Sequence, residues 1–191
     1  MKRIVIIIIC LFTLVISHAQ TYTPRQADSI FKSTNWKETI HAYTWLIENG
    51  KSARPGIAWY RIAIANYSLS DFNNAIPAFR RSIGFSNNPS TMYNLACTFN
   101  RVGLKDSCYT WLQIAVDKGY TQYDDIIKDD DLASLRNEEK YKTILQKIKT
   151  NAYPCSASSE YRQFDFWIGE WNVTDTKTGN PAGKSKIELL L

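Results

Sequence analysis

Few residues of this sequence could carry out acid–base or nucleophilic chemistry. Histidine suits a general base near neutral pH, and the chain has only two, His18 and His41. Because His18 lies in a segment that we expect to be removed, His41 stands alone on a predicted helix. Neither a Gly-rich phosphate loop nor a Gly-x-Ser-x-Gly motif accompanies it. We interpret His41 as a surface or packing residue, expect no catalytic residues, and predict a protein that is not an enzyme.

An acidic cluster between residues 124 and 131 could in principle hold a cation, since carboxylate oxygens are the ligands that Ca²⁺ prefers. Its members are Asp124, Asp125, Asp129, Asp130 and Asp131. A calcium loop also needs a glycine at its turn and a glutamate near its end, and this cluster has neither at the required spacing. We therefore predict that these carboxylates cap helices and are solvated, and we expect no metal and no other cofactor.

The cysteines point to buried thiols rather than to a site. Three of the four, Cys97, Cys108 and Cys155, follow residue 19, and an odd number cannot pair fully within one chain. No spacing resembles a zinc site. Cys108 is expected to be a small buried residue. A Cys97–Cys108 disulfide is possible in an oxidising compartment, but it is disfavoured because the two side chains should leave different faces of their helices.

Residues 1–19 have the composition of a secretory signal peptide. Lys2 and Arg3 precede an apolar run from Ile4 to Ile16, and Ala19 ends a small-residue exit. A membrane anchor is the alternative, but the apolar run falls short of the roughly 20 residues that span a bilayer. Cleavage after Ala19 predicts export to a periplasm or the exterior, with no membrane span left. It would lower the net charge from +5 to about +3, and the interspersed charges give no footprint for nucleic acid.

Two stretches of the remaining chain repeat each other at one constant spacing. The matched pairs are Trp59 and Met92, Ile62 and Leu95, Ala63 and Ala96, Ser70 and Gly103, Ala75 and Cys108, Phe79 and Leu112, and Ser82 and Ala115. A fixed period in the range of roughly 20–50 residues predicts stacked supersecondary units that bury a shared core. Such arrays bind partners over extended surfaces and rarely catalyse reactions.

The repeat extends backwards to a first unit, since Ala27 precedes Thr39 by the same interval that separates Ala63 from Ala75. We predict a helical hairpin over 24–48, a second unit over 55–88, a third over 89–120, and an amphipathic terminal helix over 138–149. Small residues at the paired positions would let the two helices of a unit approach closely. Pro77 should kink its helix, because it removes a backbone hydrogen bond.

The repeat residues resemble the tetratricopeptide family, whose units carry a Trp, a Leu, small residues, aromatic residues and a Pro in a fixed order. The residues that carry the resemblance are Trp59, Ile62, Ala63, Ala75, Phe79, Leu95, Ala96, Gly103, Leu112 and Ala115. It covers residues 23–149, where residues 129–136 look like the tail that often closes such arrays. The resemblance implies that a protein or peptide partner binds the concave face formed by the first helix of each unit. The candidate contacts are Tyr60, Ile64, Tyr67, Tyr93, Asn100 and Arg101.

Composition changes after the repeats. Residues 150–161 are expected to be a linker, and 162–191 to begin a β-domain with strands over 164–174 and 185–191. The residues Phe166, Trp167, Gly169 and Trp171 resemble the opening strand of a lipocalin-like family of small barrels. In such barrels this Trp plugs the closed end. We expect the barrel to be incomplete in this chain, because two strands alone are not stable in water.

The predicted fold class is mainly α: a tetratricopeptide-like α-solenoid of helix-turn-helix repeats, followed by an incomplete antiparallel β segment. The function that follows is a non-catalytic, exported scaffold that binds a protein or peptide. Two alternatives stay open. One is a small-molecule carrier that uses a completed lipocalin-like barrel. The other is a hydrolase whose catalytic residues lie beyond Leu191.

Overall fold

The computed structural model describes residues 20–154, 163 and 165–188. Across these residues the protein is mainly helical, and a two-stranded antiparallel sheet follows the helices. The α-helices are α1 (Pro24–Lys32), α2 (Trp36–Glu48), α3 (Pro55–Ser68), α4 (Phe72–Phe85), α5 (Pro89–Arg101), α6 (Lys105–Asp117), α7 (Tyr123–Ile126) and α8 (Glu139–Ala152). A 3-10 helix, Asp130–Leu135, lies between α7 and α8. The predicted signal segment, residues 1–19, lies outside the described residues.

Polar caps fix where several helices begin. At α1 the Gln26 N–H donates to Thr23 Oγ1 and the Thr23 N–H donates to Gln26 Oε1, which is a capping box. The side chains of Asn35, Asp71 and Asn88 accept hydrogen bonds from the first turns of α2, α4 and α5. These caps satisfy N–H groups that have no partner within the helix. At α4 the Asn74 N–H donates to the Asp71 carboxylate at 3.3 Å.

The turn inside each helical hairpin has the same backbone conformation in all three units. Thr34, Ser70 and Gly103 have φ angles of 58°, 58° and 79°. Ser70 and Gly103 are a matched pair of the sequence repeat, and Thr34 holds the corresponding place in the first unit. Only glycine adopts this left-handed region without steric cost, so the packing of the flanking helices must hold Thr34 and Ser70 there. Three successive helical hairpins, in the register that the sequence predicts, are therefore present.

Consecutive helices pack against each other from α1 to α6, and α8 packs on α6. The repeat signature forms much of the core between them. Eight of its ten residues are 4% exposed or less: Ile62, Ala63, Ala75, Phe79, Leu95, Ala96, Leu112 and Ala115. Of the other two, Gly103 makes its turn, and Trp59 is half-buried beneath the Arg81 guanidinium, 4.3 Å from the ring centroid. Pro77 lies inside α4 without ending it.

The terminal helix α8 confirms the predicted apolar side, since Tyr141, Ile144 and Ile148 are buried. It ends at Ala152, so helical structure extends into the segment that we expected to be a linker. The remainder of that segment, residues 155–161, lies outside the described residues. No helix among the described residues is long and apolar enough to cross a membrane.

The β segment confirms an antiparallel pair but corrects both strand bounds. A 3-10 turn, Asp165–Trp167, takes the place of the expected start of the first strand, and the indole of Trp171 donates to the carbonyl of Trp167 at 2.7 Å. Strand β1 is therefore Gly169–Thr174. Strand β2 is Pro181–Ile187, which begins before the expected start at residue 185.

Candidate functional site

The six predicted contact residues lie on α3 and α5, and we call the surface that they form the α3–α5 face. Its members are Tyr60, Ile64 and Tyr67 of α3, with Tyr93, Asn100 and Arg101 of α5. A hydrogen bond joins the two helices across this face, from Asn94 Nδ2 to the Tyr60 hydroxyl at 3.2 Å. Ile64 is half-buried and packs against the core. The other five residues divide into two groups with different surroundings.

The first group, at the carboxyl-terminal end of the face, is covered by a segment of the same chain. The Asp131 carboxylate accepts a hydrogen bond from the Tyr67 hydroxyl at one oxygen, and from Arg101 Nη1 at 2.8 Å at the other. Asn100 Nδ2 donates to the Asp131 carbonyl at 2.6 Å and to Ser134 Oγ at 3.1 Å. Three of the predicted contact residues therefore bind the segment that resembles a closing tail.

Tyr93 belongs to the same group but lies deeper. Its hydroxyl donates to Asp129, its ring stacks on Tyr120 with centroids 4.6 Å apart, and it is 7% exposed. Leu132 and Leu135, from the same segment as Asp129, are fully buried. Because these leucines anchor the segment in the core, it is a fixed part of the fold.

Electrostatics keep these contacts in one protonation state. Burial, followed by the hydrogen bond to Asp131, raises the pKa of Tyr67 well above its ordinary value. Burial is also the first cause of the raised pKa of Tyr93. The hydrogen bond to Asp131 raises the pKa of Arg101. These raised pKa values favour phenols that stay protonated and donate, and a guanidinium that stays charged.

Tyr60, at the other end of the face, borders an open cavity of about 540 Å³. The first turn of α3, the last turn of α4 and the first turn of α5 enclose it. Two of its apolar residues are unusually accessible, since Ile57 is 39% exposed and Phe85 is 61% exposed. A cavity of this size with an apolar wall and a few polar groups is typical of ligand sites.

Gly56 explains why the cavity wall has this shape. A side chain at Gly56 would place its Cβ 2.8 Å from the Cβ of Phe85, so only glycine permits α3 and α4 to approach here. Ser82 Oγ donates to the Gly56 carbonyl at 2.9 Å and fixes the approach. The repeat pattern did not indicate Gly56, Ile57 or Phe85 as site residues. The sequence signal that could have indicated this cavity was a pair of apolar residues outside the repeat signature, Ile57 and Phe85.

Arg54 supplies the charge of the cavity. It is the one charged residue among those that line it, and no carboxylate of the described residues pairs with it. Arg54 also occupies the N-cap position of α3, where no side chain caps the helix. The partial positive charge of a helix N-terminus adds to that of the guanidinium. The cavity is therefore an electropositive site with an apolar wall.

The other residues that we considered for chemistry lie elsewhere. His41 is exposed on α2. Within the described residues, no group of three or more histidine, cysteine or acidic side chains is placed to hold a metal ion. Cys97 and Cys108 are free, buried thiols, as expected for Cys108. Burial raises the pKa of Cys108 to about 12, and burial also raises the pKa of Cys97.

The residues of the barrel signature lie on the β-hairpin and the turn before it. Phe166, Trp167 and Trp171 are exposed, at 65%, 54% and 44%. Together with Val173 and Ile187 they border an apolar cavity of about 370 Å³ on the hairpin. No protein-family model matches the chain, and no curated protein matches it.

Proposed function

We propose that this chain is an exported, non-catalytic scaffold with tetratricopeptide-like repeats, and that it binds a peptide or protein on the α3–α5 face. Export follows from the signal-peptide composition of residues 1–19. The observation that carries the proposal is the way in which the face holds residues 129–134. Side chains of α3 and α5 bind both the carboxylate and the backbone carbonyl of Asp131.

Recognition of a backbone carbonyl together with a side chain is what peptide binding requires. Asn100 supplies the donor for the carbonyl, while Tyr67 and Arg101 supply the donors for the carboxylate. The half of the face near Tyr60 remains accessible and has the apolar surface that a partner would bury. We therefore assign partner binding to the half of the face near Tyr60, beside the segment that the chain binds itself.

Affinity capture tests the proposal. The full chain and its Tyr60→Ala variant are each exposed to the exported proteins of the source organism, and bound proteins are quantified by mass spectrometry. The control is Leu104→Ala, which removes another exposed apolar side chain, 52% exposed, at the start of α6. We expect one protein to be retained by the wild type and by Leu104→Ala but lost by Tyr60→Ala. Equal capture by all three would exclude the α3–α5 face as the binding surface.

A second function, carriage of a small apolar molecule through a lipocalin-like barrel, is favoured by the hairpin. Its exposed aromatic residues border a cavity whose lining is almost wholly apolar: Phe166, Trp167, Trp171, Val173, Ser185 and Ile187. Titration with an apolar fluorophore tests this function. Binding that Trp167→Ser abolishes, and that Tyr60→Ala leaves intact, would support the carrier. Equal binding of the fluorophore by the wild type and by Trp167→Ser would count against it.

A further inference from the structure

Tyrosine hydroxyls in this protein have a recurrent partner. They donate to carboxylates in six pairs: Tyr22 to Glu38, Tyr43 to Asp28, Tyr67 to Asp131, Tyr93 to Asp129, Tyr109 to Glu138 and Tyr153 to Asp124. Hydrogen bonds to a charged acceptor are stronger than those to a neutral one. A cavity that is lined by both a tyrosine and a cation is therefore suited to a carboxylate ligand.

At Asp131 a tyrosine and a cation bind one carboxylate together. Tyr67 and Arg101 each bind one oxygen of the same carboxylate, and the next residue, Leu132, is fully buried. The α3–α5 face thus already binds an acidic residue, and the large apolar residue that follows it is buried in the core. The Phe72 ring lies near Arg101, with its centroid 5.3 Å from Cζ, and adds an aromatic surface to that site.

The same components meet at the 540 Å³ cavity, without a carboxylate. Tyr60 accepts a hydrogen bond from Asn94, and its own hydroxyl proton has no acceptor within the described part of the chain. Arg54 has no ion-pair partner there, and Phe85 offers a 61% exposed aromatic surface. An acidic residue, Asp28, borders an adjoining cavity of about 110 Å³ that Arg54 also lines. Oδ1 of Asp28 accepts from the Tyr43 hydroxyl at 2.6 Å and lies 3.8 Å from Arg61 Nη2.

We infer that this cavity binds an internal acidic residue of a partner peptide, Asp or Glu, which is followed by a large apolar residue. In this arrangement Arg54 and the Tyr60 hydroxyl bind the carboxylate, while Ile57 and Phe85 bury the apolar side chain. The inference rests on the proposed function and specifies the partner of the same face. Charge complementarity decides the class of ligand, because the cavity has one unpaired cation and no acidic residue among the described residues that line it.

Isothermal titration calorimetry with short blocked peptides tests the inference on the full chain. The probe is acetyl-Gly-Ser-Asp-Leu-Ser-Gly-amide, and two matched peptides replace Asp by Asn or Leu by Ser. We expect saturable binding of the Asp-Leu peptide, and binding about 10-fold weaker for the Asn-Leu peptide, since 10-fold corresponds to roughly 1.4 kcal/mol. The Asp-Ser peptide should also bind more weakly, because it buries no apolar side chain against Phe85.

Variants assign the binding to the cavity. Arg54→Gln and Tyr60→Phe should each weaken binding of the Asp-Leu peptide about 10-fold, consistent with loss of one charged hydrogen bond. Arg25→Gln makes the same charge change at an exposed position on α1 and should bind as the wild type does. Circular dichroism establishes that each variant is folded. Arg54→Gln that binds like the wild type, or equal binding of the Asp-Leu and Asn-Leu peptides, would overturn the inference.

Two further outcomes separate the inference from the proposed function. A free-acid peptide, acetyl-Gly-Ser-Gly-Leu, carries its carboxylate only at the chain end, and stronger binding of this peptide than of the Asp-Leu peptide would refute an internal acidic residue. A natural partner that depends on Tyr60 but not on Arg54 would refute the inference and leave the proposed function standing. Absence of binding by every blocked peptide would likewise refute the inference, and capture would then decide the proposed function alone.

Discussion

The contact between Tyr67 and Asp131 offers a quantitative test of how residues 129–135 are attached to the α3–α5 face. Tyr67→Phe removes the donor and keeps the ring, whose edge-on contact with Phe72 has centroids 5.5 Å apart. A hydrogen bond to a charged group contributes about 1.5–3 kcal/mol when buried, and partial exposure should reduce this to about 1–2 kcal/mol. We expect that loss in the free energy of unfolding, measured by urea titration followed by circular dichroism of the helices.

Asp131→Ala should cost more, because it also removes the ion pair with Arg101. That pair is accessible, with side chains 46% and 22% exposed, so it adds only about 0.2–1 kcal/mol. The decisive quantity is the double-mutant cycle. If the two residues bind each other, the double variant should lose about 1 kcal/mol less than the sum of the single variants.

The matched control is Tyr123→Phe, whose hydroxyl has no hydrogen bond within the described residues and which should be additive with Asp131→Ala. Additivity of Tyr67→Phe and Asp131→Ala to within about 0.3 kcal/mol would show that the segment is not held as described. It would also remove the evidence, from Asp131, that this face binds a carboxylate.

Four further predictions concern the repeat frame. Ala75→Trp should abolish the cooperative helical melt, since Ala75 is fully buried in α4 and overpacking there has no space to relax; an unchanged melting curve would contradict the repeat assignment. Ser70→Gly should stabilise the protein by up to about 1 kcal/mol, because Ser70 has φ of 58°, and a lower urea midpoint would oppose this. Hydrogen bonds from Lys105 and then Tyr109 lower the pKa of Glu138 below its ordinary value of 4.5. The ionised Glu138 should therefore stabilise the fold above pH 4.5, and this stabilisation should be lost as the pH falls through the lowered pKa. Glu138→Gln should flatten this dependence of the urea midpoint on acid pH. The thiols of Cys97 and Cys108 should react with a disulfide reagent only on unfolding, and rapid labelling of either in the native protein would contradict their burial.

Much of the helical fold could be predicted because the repeat controls it locally. Pairs such as Ala63 and Ala96 recur at the repeat spacing, and each is fully buried. Ser70 and Gly103 are likewise matched by the repeat, and both have positive φ. Periodic apolar positions and small residues at close contacts are the strongest signals that a sequence holds.

The division of the candidate site could not be predicted in the same way. Tyr67 and Asp131 lie far apart along the chain, and no local pattern shows that the hydroxyl of one reaches the carboxylate of the other. The cavity beside Tyr60 depends on the close approach of α3 and α4 at Gly56, which is a tertiary contact. The strand bounds failed for a related reason, because the indole of Trp171 binds the carbonyl of Trp167 and favours a turn where alternating residues indicated a strand.

The central claim is that one half of the α3–α5 face is closed by the chain itself and the other half is open to a partner. Amide chemical shifts of the isotopically labelled full chain, followed during titration with the Asp-Leu peptide, test it most directly. The claim predicts concentration-dependent shifts at Gly56, Ile57 and Phe85, with Asn100 and Arg101 unmoved. Shifts confined to Asn100 and Arg101 would mean that the peptide displaces residues 129–134, and would contradict the claim.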